Sequence, residues 1–191
     1  MARILELDDF GFFSILYATH AVAFAFFNGA IIEGFLVLSS GRFKGDLLYR
    51  NLVYRLLALY VLFLSTIFLT IYSLFGIISI LNILSLLFAS IFINLAYFIR
   101  RALQIDGQAY ASALFSGLMF LIFCSFLWLS DYYVFSSINS TFMIFGSSNL
   151  ICCLLFYKVI QIPFKPINYQ DSLSRYKEHI NYSKWVLLTA I

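Results

Sequence analysis

Seven residues carry side chains that could do chemistry: His20, Glu33, Cys124, Asp131, Cys152, Cys153 and His179. A histidine in an apolar run suggests a haem ligand, and a bis-histidine haem needs a second, facing histidine. His179 is the only other one, and it lies in a polar stretch far along the chain. His20 is therefore expected to be a hydrogen-bonded packing residue. Glu33 lies roughly two turns from the end of its apolar run. An acid at membrane depth is a functional candidate by default. Its spacing favours snorkelling, or pairing with Arg42, Lys44 or Arg55. Asp131 follows Trp128 and precedes Tyr132 and Tyr133, the pattern of an aromatic belt at a membrane interface. A neighbouring subunit could bind there. The cysteines have no CxxC spacing and no nearby histidine, so a metal site is not expected. No nucleophile–base pair, phosphate-binding loop or chain of membrane carboxylates is present. The chemistry-bearing residues read as those of a non-catalytic membrane subunit.

The elements that hold them follow from composition. The 191 residues are 63% hydrophobic and 11% charged, with mean hydropathy +0.95. Soluble domains carry about 25% charge, so this chain cannot cover a water-facing surface. A net charge of +3 gives no reason to expect a nucleic-acid partner. The runs do not alternate apolar and polar, which excludes a membrane β-barrel. The expected fold is all-α, a polytopic transmembrane helix bundle forming a single transmembrane domain. Five spans are expected at about 11–40, 52–75, 77–99, 110–130 and 138–160. Gly76 would turn the chain between the second and third. Pro163 and Pro166 end the fifth. Tyr169–Lys184 is polar and Trp185–Ile191 apolar, so a sixth C-terminal span or an interfacial helix is expected there. Ser65, Thr66, Thr70, Asn82, Ser85, Ser90, Asn94, Gly146, Ser147, Ser148 and Asn149 are expected at helix–helix contacts.

Charge sets the expected orientation. Arg42, Lys44, Arg50 and Arg55 flank the first inter-span loop, and Arg100 and Arg101 the third. Lys158, Lys165, Arg175, Lys177 and Lys184 follow the fifth span. Eleven of the twelve basic residues thus fall on one side, with only Arg3 opposite. By the positive-inside rule the N-terminus lies outside. Met1–Asp9 is acidic, so no cleavable signal is expected.

Five segments, in order, resemble cytochrome c oxidase subunit III. The run YRLLALYVLFLSTIFLTIYSLF, led by Arg55 and ending at Phe75, is similar to that family's third helix. Thr66 stands where the family has its membrane glutamate. LNILSLLFAS (Leu81–Ser90) resembles the opening of the fourth helix, and Arg100 and Arg101 lie near the place of its closing His pair. ALFSGLMFLIFCSFLWLSDYY, from Ala113 through Asp131 and Tyr132, resembles the fifth. STFMIFG (Ser140–Gly146) resembles the sixth, without its following His. HINYSKW, from His179 to Trp185, resembles the His–Trp motif of the last helix, with Tyr182 near the place of its Asp.

The resemblance implies a shortened, organelle-encoded member that lacks the family's first helix. It implies a core subunit of the haem–copper oxidase, respiratory complex IV, with no active site and no metal of its own. Haem a and copper would reside in partner subunits, chiefly catalytic subunit I. The first helix, 11–40, would stand apart from the bundle 52–191 across a lipid-filled cleft. Phospholipids such as cardiolipin would be held by Arg55, Arg100, Arg101, His179 and Trp185. The implied location is the mitochondrial inner membrane with the N-terminus in the intermembrane space, or alternatively a bacterial plasma membrane. Thr66 removes the ground for a direct proton role at that position. Another accessory subunit of a respiratory or ATP synthase complex, or a small transporter, shares the same composition. A transporter would be expected to show internal repeats and broken helices, which the sequence lacks.

Overall fold

The structure, a computed structural model, describes residues 7–75, 79–132, 137–157 and 169–189. The expected turn at Gly76, the breaks at Pro163 and Pro166, and Lys158 and Lys165 lie outside those residues, as does the side chain of Asp131. Every element among the described residues is helical. The helices are α1 (Leu7–Phe27), α2 (Glu33–Ser40), α3 (Leu47–Phe75), α4 (Ile80–Ile105), α5 (Ala109–Tyr132), α6 (Ile138–Phe156) and α7 (Tyr169–Thr189). A π-helical turn, Asn28–Ile32, joins α1 to α2 without breaking the rod. Five helical rods are long and apolar enough to cross a membrane: Phe10–Ser40, Leu47–Thr70, Ile80–Ile105, Ala109–Leu129 and Ile138–Phe156. The protein is an all-α, multi-pass membrane bundle.

Local chemistry explains where the helices begin and end. The apolar pattern predicts a second span from about residue 52, yet α3 starts at Leu47. Asp46 Oδ1 accepts from the backbone N–H groups of Leu48 and Tyr49 at 2.9 and 3.2 Å. That cap satisfies donors an uncapped helix start would leave bare. Gly45, with φ +75°, makes the turn before it. Ser79 caps α4 through the Leu81 N–H. Ser137 and Ser140 form a reciprocal capping box at the start of α6. α4 runs to Ile105 and closes before Gly107, with φ +74°. Arg100 and Arg101 therefore sit on helix, about one turn short of the loop expected to hold them.

α4 is the central strut. Its largest interface is with α6. Gly146 makes that approach possible: a Cβ there would lie 2.3 Å from a Phe88 ring carbon and 3.2 Å from Ala89 Cα. Ser85 also donates across this interface, to Asn139 Oδ1 at 3.0 Å. A second cluster (Ile99, Leu103, Phe115, Cys152, Cys153, Phe156) packs α5 against α4 and α6. α5 is the outermost span: 11% of its apolar window is buried, against 44% for α6.

The first span contacts α3, α4, α6 and α7. Phe13 stacks on Phe142 of α6 at 5.3 Å, and Phe24 meets Tyr97 of α4 edge-on at 5.1 Å. Tyr60 of α3 donates to the Ala23 carbonyl at 2.8 Å. The space beside this span is a groove shared with α3 and α7.

Not every small polar residue marks a contact. Ser65, Thr66 and Thr70 donate to the carbonyls of Val61, Leu62 and Thr66, four residues back on their own helix. Thr66 and Thr70 are exposed. Back-bonding of this kind satisfies a hydroxyl without any neighbouring helix. Asn94 and Asn149 likewise donate to the carbonyls of Ser90 and Phe145 while buried among other helices.

Candidate lipid groove and the clasp beside it

Two ion pairs define one end of the bundle. Arg50 at the start of α3 pairs with Asp106 at the end of α4. Arg175 Nε at the start of α7 lies 2.7 Å from Asp46 Oδ2. These bonds bring the α2–α3 turn, the close of α4 and the opening of α7 to the same end. Arg42 joins them through Glu178, at 2.9 Å. Glu33 is therefore not the partner of Arg42; it accepts from Asn28 Nδ2 at 3.2 Å, one π turn back on its own rod. Asp46 has its carboxyl held below the ordinary value of 3.8. Burial alone would raise it, but the hydrogen bond and charge of Arg175 and the two capping N–H groups outweigh burial.

From that end α7 runs beside the first span and α3. His179 is 1% exposed. Its Nε2 lies 3.0 Å from the Ala30 carbonyl in the π turn, and its Nδ1 lies 2.7 Å from Tyr49 Oη. Tyr49 also donates to the Gly34 carbonyl at 3.1 Å. Because a carbonyl only accepts, Nε2 must carry a proton, and in neutral imidazole Nδ1 is then the acceptor. The Tyr49 hydroxyl proton is shared between Nδ1 and Gly34. Small residues allow this closeness. A Cβ on Gly34 would lie 2.8 Å from His179 Cε1 and 2.9 Å from Ser183 Oγ, and one on Gly29 would lie 2.9 Å from Leu187 Cδ2. The clasp locks three elements distant in sequence.

Beside the clasp lie two adjoining grooves. One, of about 370 Å³, is lined by Phe26, Ile31, Leu59, Phe63, Ile180 and Leu187 among others, with Lys184 at its α7 edge. The second, of about 390 Å³, is walled by Leu52, Arg55, Leu56, Leu59, Ser172, Leu173 and Tyr176. Leu56 and Leu59 line both, so the two form one trough along α3 and α7. Its walls are mainly apolar at depth, and Arg55 stands at the end nearer the ion pairs. Such a trough can take an acyl chain and offer its headgroup a guanidinium.

The structure distributes the five expected lipid-binding residues unevenly. Arg55 and His179 border the trough, although both His179 ring nitrogens are engaged with protein. Trp185 is 64% exposed and lies 5.6 Å from the Lys184 ammonium. Arg100 and Arg101 gather elsewhere: both guanidiniums lie 5.1 Å from the Tyr97 ring, and Arg101 donates to the Tyr97 hydroxyl at 2.8 Å. Thr66 faces outward on α3. His20 is buried, with Nδ1 2.8 Å from Ser90 Oγ. Cys124 is exposed on α5, while Cys152 and Cys153 are buried. No cluster of three or more metal-ligating side chains occurs among the described residues.

Tyr49 is the functional residue that sequence reading passed over. It lies between Asp46 and Arg50, ahead of the apolar run, and only its partner 130 positions away gives it a role. No family model matches the chain, and neither does any curated protein or solved structure.

Proposed function

We propose that this protein is a non-catalytic core subunit of cytochrome c oxidase, shaped to pack on the catalytic subunit and to hold phospholipid. The observation that carries the lipid-binding part is the trough along α3 and α7, mainly apolar and headed by Arg55. An anionic headgroup at that end would meet the guanidinium while an acyl chain lay against Leu56, Leu59 and Phe63. The oxidase part rests on the ordered resemblance of five segments. Support comes from their distribution, since each occupies its own helix, α3 to α7, in chain order. The haem a and copper that carry electrons would belong to partner subunits. The setting we propose is the mitochondrial inner membrane, with the Arg50–Asp106 end facing the matrix.

Depletion of the chain in its native cells tests this reading. Cyanide-sensitive oxygen consumption with reduced cytochrome c as donor should fall, and the catalytic subunit should become unstable. Unchanged oxidase activity and unchanged catalytic-subunit levels after depletion would contradict it.

A further inference from the structure

α7 packs beside the first span and α3 but is not among the rods apolar enough to cross a membrane, and it carries a polar stripe. Lys177, Asn181 and Lys184 are all exposed, and their spacing puts them on one face of the helix. Lys184 Nζ donates to Asn181 Oδ1 at 3.1 Å, which aligns the two along that face. The opposite face holds His179 and Ser183, buried against Gly34.

The depth of this stripe follows from two independent anchors. Arg175 pairs with Asp46 at the charged end of the bundle. Nine residues further on, Lys184 lies about 13 Å away along the axis, at about 1.5 Å per residue. Leu187, one turn beyond Lys184, packs on Gly29 of the first span. Gly29 is itself eleven residues, about 16 Å, from the end of that span at Ser40. In a hydrocarbon core about 30 Å thick, Lys184 thus sits near the middle. The positive-inside pattern does not cover it, because α7 carries it away from the end that gathers Arg175 and Arg50.

An ammonium facing hydrocarbon at that depth is costly, and such residues turn toward protein or water. The acids on the neighbouring elements have other partners: Glu178 pairs with Arg42, Asp46 with Arg175, and Glu33 accepts from Asn28 on its own rod. A lipid phosphate lies at the membrane surface, about 15 Å from the midplane. We infer that the Lys177–Asn181–Lys184 face of α7 is a protein interface, seating a transmembrane helix of another chain that carries an Asp or Glu at the depth of Lys184. Asn181 supplies a carboxamide to the same helix, and Trp185 and Leu188 provide apolar contact beside it. Lys184 also stands at the α7 edge of the trough, so the seated helix would border a lipid held there. The inference rests on the placement of α7 and is independent of the oxidase reading.

The test uses the full chain in its native membrane. Asn181→benzoylphenylalanine places a photo-crosslinker on the stripe while keeping Lys184. The crosslinked peptide should map to a membrane helix of a different chain, within one turn of an Asp or Glu. In parallel, Lys184→Met should lower recovery of the assembly about ten-fold, while Lys184→Arg retains it. Lys184→Glu should be restored by changing the mapped acid to Lys. A crosslink to phospholipid, to a second copy of this chain, or to a helix without an acid would overturn the inference. So would a Lys184→Met chain that assembles like the wild type. The crosslink is read with the native charge in place, so it stands even if Lys184→Met misfolds.

Discussion

Tyr49 and His179 lie 130 positions apart in sequence, yet their Oη and Nδ1 atoms are 2.7 Å apart. This contact fastens the start of α3 to the middle of α7, and the Gly34 and Ala30 carbonyls fasten both to the first span. His179 also lines the groove beside these helices, so the clasp forms part of its wall.

Removing the clasp's hydroxyl should loosen α7. Tyr49→Phe leaves His179 Nδ1 buried without its donor. The expected loss is about 1–2 kcal/mol of stability, read as a lower thermal transition in lipid nanodiscs. Protease cleavage within α7 should rise in the same variant.

Glycine positions separate close approach from simple helix propensity. Gly34→Ala drives a methyl into His179 and Ser183 and should cost about 1–3 kcal/mol. Gly146→Ala meets Phe88 and the Ala89 backbone and should behave alike. Gly117 has nothing within 4 Å of an added Cβ. Gly117→Ala should therefore be neutral, or stabilising by up to about 1 kcal/mol. Parallel thermal unfolding of the three variants checks the ranking.

The Asp46–Arg175 pair predicts a pH dependence with a definite sign. Asp46 is more acidic folded than unfolded, so the unfolded chain binds the extra proton as pH falls. Its stabilisation is complete above the ordinary carboxylate value of 3.8 and is lost as pH drops through the lower folded value. Asp46→Asn should flatten this part of the stability profile between neutral pH and pH 3. An identical acid-side slope in wild type and variant would refute the assignment.

Arg55 should govern which lipids remain bound. A basic residue near the surface contributes about 1 kcal/mol toward an anionic headgroup, or about five-fold in retention. Native mass spectrometry of Arg55→Gln should show that loss for anionic phospholipid and little change for zwitterionic lipid. Arg101→Gln should leave trough lipid unchanged, because Arg101 is held at Tyr97.

Much of the fold was legible because span length and apolar composition are one-dimensional signals. The first span, expected at about 11–40, is apolar and helical from Phe10 to Ser40. The fifth begins at Ile138 as expected and ends at Phe156. Errors arose where capping decides. Asp46 starts α3 about five residues early, and α4 runs on past Arg100 and Arg101 to Ile105. Thr66 looks like a contact residue in sequence, but it is exposed and the Leu62 carbonyl four residues back satisfies its hydroxyl. The site was less legible. Arg55 could be singled out by charge, whereas Tyr49, Gly29 and Gly34 gain meaning only when α7 folds back against the first span. The depth of Lys184 was hidden for the same reason.

The most direct test of the oxidase account is purification of the tagged chain from native membranes in mild detergent, with a reduced-minus-oxidised optical spectrum of what accompanies it. The account predicts an a-type haem spectrum together with copper and the catalytic subunits. A stable complex without haem a would contradict it, and the five similar segments would then reflect chance likeness among apolar helices.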